Sequence, residues 1–397
     1  MGASPTDRLR NGGRVPELDG LRALAALLVV TKHYGVVHLP GDGEWASFFN
    51  TLYEMFSGAD LFFVLSGYLL TGRLLATLDS PSYYRTFFRK RYYRTVPAYY
   101  ALLALFATVV IAQNAFGIEL CVGLTWPFGT PWSMVAYSLF LQNFLMAAEG
   151  SIGPPVLMMT WALSVQEQFY IVLPWFVRHT RGCLVFVLAV LLILAPMGRL
   201  FLLSVSPSLM HHYFDCLLIF HLDPLCAGVF LSVALRSPGI IRVLTIFRQV
   251  LRPALAILTI GFAFLPLCDF APETQTWFVV GHAYLAVLYF FLILNAICCP
   301  ECTIARILRL GIIRKLGLIS YGIFLYHQIV NSLVHGLVLG TAPSVTNWTT
   351  FLTTVDALLV TIVLAHLSWR YVEQPLSRHA QQADAALNTP SGGKPPS

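Results

Sequence analysis

Apolar windows about 20 residues long recur along the whole chain, and that recurrence leaves one fold class open. A bilayer core about 30 Å thick needs roughly 20 apolar residues per helix. Windows of that length fall at 18–38, 57–77, 95–113, 160–178, 183–203, 218–236, 252–268, 277–299, 318–340 and 351–370. The expectation is an all-α polytopic membrane protein with about ten transmembrane helices. The stretch 132–147 is apolar but shorter and carries Gln142 and Asn143. It reads as a re-entrant or interfacial segment, with an eleventh span as the alternative. With 57% hydrophobic and 11% charged residues among 397, no sizeable soluble domain fits between the spans.

Lys and Arg in short loops set the orientation. With the N-terminus inside, the cytoplasmic side receives Arg8, Arg10 and Arg14, the Arg73–Arg94 loop, Arg178 and Arg181, then Arg236, Arg242, Arg248 and Arg252. Arg306, Arg309, Arg314, Lys315, Arg370, Arg378 and Lys394 follow on the same side. The loops assigned outside, 39–56, 114–159, 204–217, 269–276 and 341–350, hold no Lys or Arg. An even number of spans with both termini cytoplasmic satisfies this pattern, and an eleventh span breaks it. The formal charge of +6 is then the orientation signal and asks for no nucleic acid. Arg199, near the outer end of the fifth helix, is the exception, expected to snorkel outward or to pair with a carboxylate. Residues 1–15 form a basic cytoplasmic leader without a small-residue cleavage site, so the first helix reads as a retained span. Residues 379–397, rich in Pro, Gly and Ser, read as a disordered cytoplasmic tail.

Two ionisable residues stand out in the first helix, Arg22 and His33. Eleven helical steps bring them to one face at depths roughly 16 Å apart. Snorkelling or a structural hydrogen bond explains either one alone, whereas intramembrane charges that share a face point to a pathway or reaction centre. Lys32 points about 100° away and is expected to pair with a carboxylate or snorkel. Counted from the helix ends, His33, Asp60, Glu167 and Asp223 lie in the outer halves of their spans, with Arg22 and the Arg89–Pro97 cluster at the inner side. A cationic inner mouth leading to a histidine suits an anionic cytoplasmic donor; ordinary positive-inside topology produces the same cluster. Cys298, Cys299 and Cys302, like His211, His212 and Asp215, lack a second ligand pair at matching spacing. They read as packing, and no metal is expected. The nucleotide P-loop, G-x-S-x-G, H-E-x-x-H and G-x-G-x-x-G signatures are absent. Aromatic residues over 114–160 fit either a sugar-stacking platform or an interfacial belt.

Seven blocks in order then carry a resemblance: P-E-L-D-G-L-R-A-L-A-A-L-L-V-V-T-K-H-Y, G-A-D-L-F-F-V-L-S-G-Y-L-L, F-F-R-K-R-Y-Y-R-T-V-P-A-Y, W-A-L-S-V-Q-E-Q-F-Y-I-V-L-P, F-H-L-D-P-L-C-A-G-V-F, I-S-Y-G-I-F-L-Y-H and W-R-Y-V-E-Q-P-L. Together they resemble the acyltransferase-3 family of integral membrane O-acyltransferases, which includes O-antigen and exopolysaccharide acetylases and macrolide acylating enzymes. The resemblance makes 16–378 a membrane acyltransferase domain in the cell membrane. It implies transfer of an acyl group, usually acetyl, from cytoplasmic acyl-CoA to a hydroxyl of a carbohydrate or another acceptor. It marks Arg22 and His33 as essential and matches the family's R-x-x-R pair to Arg91 and Arg94. Two departures are Ala23, in place of the glycine of G-L-R-G, and Gln166, where the family more regularly has an acid in S-V-E-E-Q-F-Y.

The implied chemistry needs a base for the acceptor hydroxyl, and an imidazole is best matched near neutrality. His33 is the expected base. Arg22, roughly 16 Å away along the helix, is too far to touch the same reacting carbon and is assigned to donor binding or gating. Ser66, Tyr68, Tyr170 and His327 are candidates for the oxyanion donor, with Asp60, Glu167 and Asp223 as supporting residues. Acyl-CoA is expected as donor substrate, with no permanently bound cofactor; a hydroxyl-bearing carbohydrate and the lipid bilayer are the other partners. The sequence assigns no oligomeric state. A cytoplasmic acceptor such as a macrolide is the alternative, and a multi-pass transporter is the alternative of another class, although no matching halves are seen.

Overall fold

The first helix shows how this sequence makes a polar span. α1 (Pro16–Tyr34) opens on a proline, carries Glu17 and Asp19 in its first turn and Lys32 and His33 in its last, and stops at Gly35 with φ 63°. Proline is pre-set for a first turn, and acids at the start with bases at the end oppose the helix dipole. The left-handed residue that ends it suits glycine.

The computed structural model describes residues 15–35, 44–180, 182–205, 216–268, 270–272 and 274–388. Among them the chain is helical, with no strand. After α1 come α2 (Glu44–Met55), α3 (Gly58–Ala76), α4 (Tyr83–Phe116), α5 (Ser133–Ser138), α6 (Gln142–Glu149), α7 (Thr160–His179) and α8 (Leu184–Val205). A 3-10 turn (Leu218–His221) leads into α9 (Leu222–Ala234), followed by α10 (Pro238–Ile246) and α11 (Arg248–Phe264). A π-turn (Trp277–Gly281) opens α12 (His282–Cys298); α13 (Thr303–Leu308), α14 (Gly311–Leu318), α15 (Ser320–Leu339), α16 (Trp348–Ser368) and α17 (Gln374–Asn388) complete the order.

Among the described residues, each of the ten apolar windows falls largely on helix. Among them seven helices are long and apolar enough to cross a membrane, or eight if the pair Leu218–Ala234 and Pro238–Ile246, bent by 95°, counts as one broken span. α1 and α7 match them in length but carry more polar faces, Glu17, Asp19, Arg22 and Lys32 on the first, Gln166, Glu167 and Gln168 on the second. The segment 132–147 forms two short helices, neither long enough to cross, broken at Phe140 with φ 57°. One expectation needs correction at the C-terminus: α17 continues to Asn388, so 379–388 are helical and not an unstructured tail. Arg8, Arg10, Arg14, Arg181, His211, His212, Asp215 and Lys394 lie outside the described residues.

Large apolar side chains point outward along α8 and α11, including Phe186, Ile193, Phe201, Ile257 and Ile260. In water such a belt is a liability, and in a bilayer it is the solvated face. The interior is held by close crossings. A Cβ on Gly67 of α3 would run into the Leu225 carbonyl of α9, and one on Gly228 of α9 would run into the Val64 carbonyl of α3. Small residues at a crossing let backbones touch, which is where helices in lipid gain van der Waals contact.

Candidate functional site

Five helices, α1, α3, α4, α7 and α15, line a cavity that is open at its mouth. Arg22, Arg73, Arg91 and Arg94 line it, together with Ser66, Thr95, Gln166, Tyr170, Ser320 and Tyr321. Phe62, Phe63, Leu69 and Phe324 supply much of its apolar wall. Only two of the four guanidiniums meet a carboxylate: Arg22 lies 3.6 Å from Asp19, and Arg91 3.5 Å from Glu167. Arg91 also stands over the Tyr170 ring, 3.9 Å from its centre. Among the described residues Arg73 and Arg94 form no ion pair, and Arg94 faces the like charges of Arg22, Arg73 and Arg91. Clustered cations without matching acids are costly in a low-dielectric interior unless an anion joins them. Such a cluster can hold an anion, and guanidinium geometry suits phosphate.

One turn beyond the cavity, α15 carries His327. Ser320, Phe324 and His327 form one stripe of that helix, and the Phe324 ring meets Phe62 edge-on at 5.9 Å. His327 Nδ1 lies 2.7 Å from the Phe324 carbonyl, and its Nε2 lies 2.8 Å from Nδ1 of His33. A carbonyl can only accept, so His327 carries its proton on Nδ1. With both rings neutral, its Nε2 then accepts from His33 Nδ1–H. That leaves the lone pair of His33 on Nε2, which meets no other partner among the described residues. The two rings stack with centres 5.1 Å apart. Tyr34 braces the pair, its hydroxyl 3.0 Å from the His327 carbonyl and 3.1 Å from Thr361 Oγ1.

A second polar cluster sits where α3, the 218–221 turn and α12 meet. Asp60 lies 3.0 and 3.1 Å from His282 Nδ1 through its two oxygens, and its Oδ1 lies 3.9 Å from His221 Nδ1. All three residues are buried, and their potential ligand atoms lie within 4.8 Å of one another. Trp161 stacks on His221 at 5.0 Å. Beside this cluster, the fully buried Arg199 donates to both oxygens of Asp223 at 3.3 and 2.6 Å, and to the Val279 and Phe220 carbonyls.

The sequence expectations separate along these three centres. Arg22, Arg91, Arg94, Ser66 and Tyr170 meet at the cavity, and His33 meets His327. His327, with both nitrogens engaged, is a partner of His33 and has no donor left for an oxyanion. Tyr68 is buried away from the cavity lining, in the core packed around α12. Glu167 stands against Arg91, Asp223 against Arg199 and Asp60 against His282, so none touches His33. Arg199 pairs with a carboxylate, one of its two expected fates, and Lys32 lies 3.1 Å from Glu54. Sequence reasoning passed over Arg73 as a cavity residue, Tyr321, His221 and His282, and noted Gln166 only as a departure from the family pattern. Arg73 and Gln166 could have been found from their helical register with Leu69 and Tyr170; the two histidines have no local spacing that links them to Asp60.

A family profile described as an acyltransferase domain, acyltransferase-3, matches residues 15–370. The chain is 26% identical over 380 residues to the peptidoglycan O-acetyltransferase OatA of Listeria monocytogenes, covering 92% of this chain and 56% of that protein. It is 29% identical over 376 residues to the putative peptidoglycan O-acetyltransferase YrhL of Bacillus subtilis, covering 91% and 55%. A putative O-acetyltransferase of Staphylococcus aureus is 26% identical over 388 residues, covering 93% and 58%. The chain thus spans slightly more than half the length of these curated relatives. No solved structure matches it. A helical membrane body, an arginine-lined cavity and a paired histidine on its first helix are shared out along the full extent of the profile, and the chain belongs to the acyltransferase-3 family.

Proposed function

We propose that this chain transfers an acyl group, most simply acetyl, from acyl-CoA to a hydroxyl of a cell-surface or lipid-linked carbohydrate. The single observation that carries the reading is the adjacency of two unlike centres on α1 and α15: a polycationic cavity at Arg22 and Ser320, and an imidazole with a lone pair at His33 and His327. The phosphates of the donor occupy the Arg22, Arg73, Arg91 and Arg94 cluster. Its acyl end runs past Phe62 and Phe324 toward His33. From Ser320 to His327 is seven residues, about 10 Å along the helix. The donor therefore spans both centres, which removes the difficulty that Arg22 and His33 are too far apart to share one atom.

In the reaction His33 Nε2 takes the acceptor hydroxyl proton as its oxygen forms a bond to the thioester carbon. The carbon–sulfur bond then breaks, and the CoA thiolate leaves with that proton. His327 holds the His33 ring in the tautomer that can accept, a positioning role. Ser66 and Tyr170 line the phosphate end of the cavity beside Arg91, so they bind the donor and leave the oxyanion to a group nearer His33.

Ten spans with both termini in the cytoplasm place the arginine cluster at the cytoplasmic face of the cell membrane and His33 in the outer half. That arrangement favours an exported acceptor, and the names of the relatives favour peptidoglycan or a related glycan. The experiment is purified protein in oriented vesicles with acyl-labelled CoA supplied on one side only and glycan acceptor on the other. Label on the acceptor, with release of free thiol, supports the reading. Label confined to acceptors on the donor side points to a cytoplasmic substrate such as a macrolide, and no thiol release ends the acyl-CoA reading altogether.

A further inference from the structure

We propose that Asp60, His221 and His282 form a binding site for one divalent first-row transition ion of the zinc class, a centre separate from the acyl-transfer machinery. Two imidazoles and a carboxylate are a common protein ligand set for such ions. Here they come from three elements that share no sequence proximity: the first turn of α3, the end of the 218–221 turn and the first residue of α12.

The separations suit a shared ion. Bonds of about 2.0–2.1 Å in a tetrahedral set put neighbouring ligand atoms roughly 3.3 Å apart. The structure has 3.0 and 3.1 Å between Asp60 and His282, 3.9 Å between Asp60 and His221, and all three within 4.8 Å. The separations thus bracket the spacing that three ligands of one ion require. Burial is as deep as a bound ion needs, with Asp60 and His221 at 1% and 0% exposure. The surrounding shell is aromatic: Trp161 stacks on His221, and Phe63 packs against the same ring at 5.2 Å. Tyr289, also buried, carries a hydroxyl with no hydrogen-bond partner among the described residues and lies within electrostatic reach of Asp60. The adjacent cation Arg199 does not oppose an ion, because both oxygens of Asp223 already bind it.

Such an ion ties α3, α9 and α12 together at one point. Phe63 lines the arginine cavity and packs on His221, so the tie also steadies the cavity wall.

The test is metal binding by the full chain, purified in detergent without a histidine tag and stripped with chelator. Titration with Co2+ should give one ion per chain with the visible absorption of a low-coordinate nitrogen and oxygen site, displaced by Zn2+. Asp60→Asn and His282→Gln should each weaken Co2+ binding by at least about tenfold, while replacing Cys298, Cys299 and Cys302 together by Ser should leave it unchanged. Should those variants fail to fold, the wild-type chain still decides the matter: chelator should lower its Tm and Zn2+ should restore it. A wild-type chain that takes up no Co2+ and ignores chelator overturns the proposal. So does binding that survives Asp60→Asn and His282→Gln or vanishes with the three cysteines.

Discussion

His33 on α1 and His327 on α15, 294 positions apart in the chain, meet nitrogen to nitrogen at 2.8 Å. The contact is directional: the Phe324 carbonyl fixes the proton of His327, His327 fixes the proton of His33, and the outer nitrogen of His33 is left to accept. Loss of either ring should therefore be felt at the same atom, in different degree.

His33→Ala should lower kcat by about 10²–10⁴-fold, the usual worth of a positioned base. Donor affinity, measured by binding of a non-reactive CoA thioether, should stay within about twofold. A variant that keeps most of its turnover removes His33 from the role of base.

His327→Phe preserves ring stacking but removes the acceptor for His33 Nδ1–H. It should reduce kcat by about 10- to 100-fold with KM for the donor unchanged, and His327→Gln should recover part of the loss. Equal loss in both variants, with lowered Tm, would mean that His327 only packs.

Three of the cavity's arginines should divide into two classes. Arg94→Ala and Arg73→Ala remove cations that form no ion pair among the described residues, so they should weaken donor binding by about 10- to 100-fold per site and flatten its salt dependence. Arg91→Ala also strands Glu167, with which it is paired. Its expected cost of about 3–5 kcal/mol in stability separates it from the other two in a thermal unfolding assay.

Gln166→Glu restores the acid that the family more regularly carries, at a position that lines the cavity beside Tyr170. The added negative charge should raise KM for acyl-CoA by several-fold while leaving folding intact. An unchanged or lower KM would show that the site has room to accept it as a guanidinium partner.

The membrane-crossing helices were legible because each had to satisfy its own backbone in lipid, a local demand that writes itself into about 20 consecutive residues. Arg22 and His33 were legible for a related reason, since two expensive side chains on one helical face need no partner to be noticed. Their partners were not. His327 lies on a separate helix and was named only as one oxyanion candidate among four, and the pairing of Asp60 with His282 depends on how α3 packs against α12. Counting from helix ends gives depth but no bearing: Glu167 turns toward α4 and Asp223 toward α8.

The glycine crossing of α3 and α9 has a mechanical consequence. Where Gly67 and Gly228 bring backbone onto backbone, no layer of side chains remains through which the two helices could shear. α3 carries Asp60 at one end, Ser66 in the middle and Arg73 at the other, while His221 immediately precedes α9. The pair is in effect one beam running from the acid–histidine cluster to the cationic mouth, so that a push at either end is delivered whole to the other.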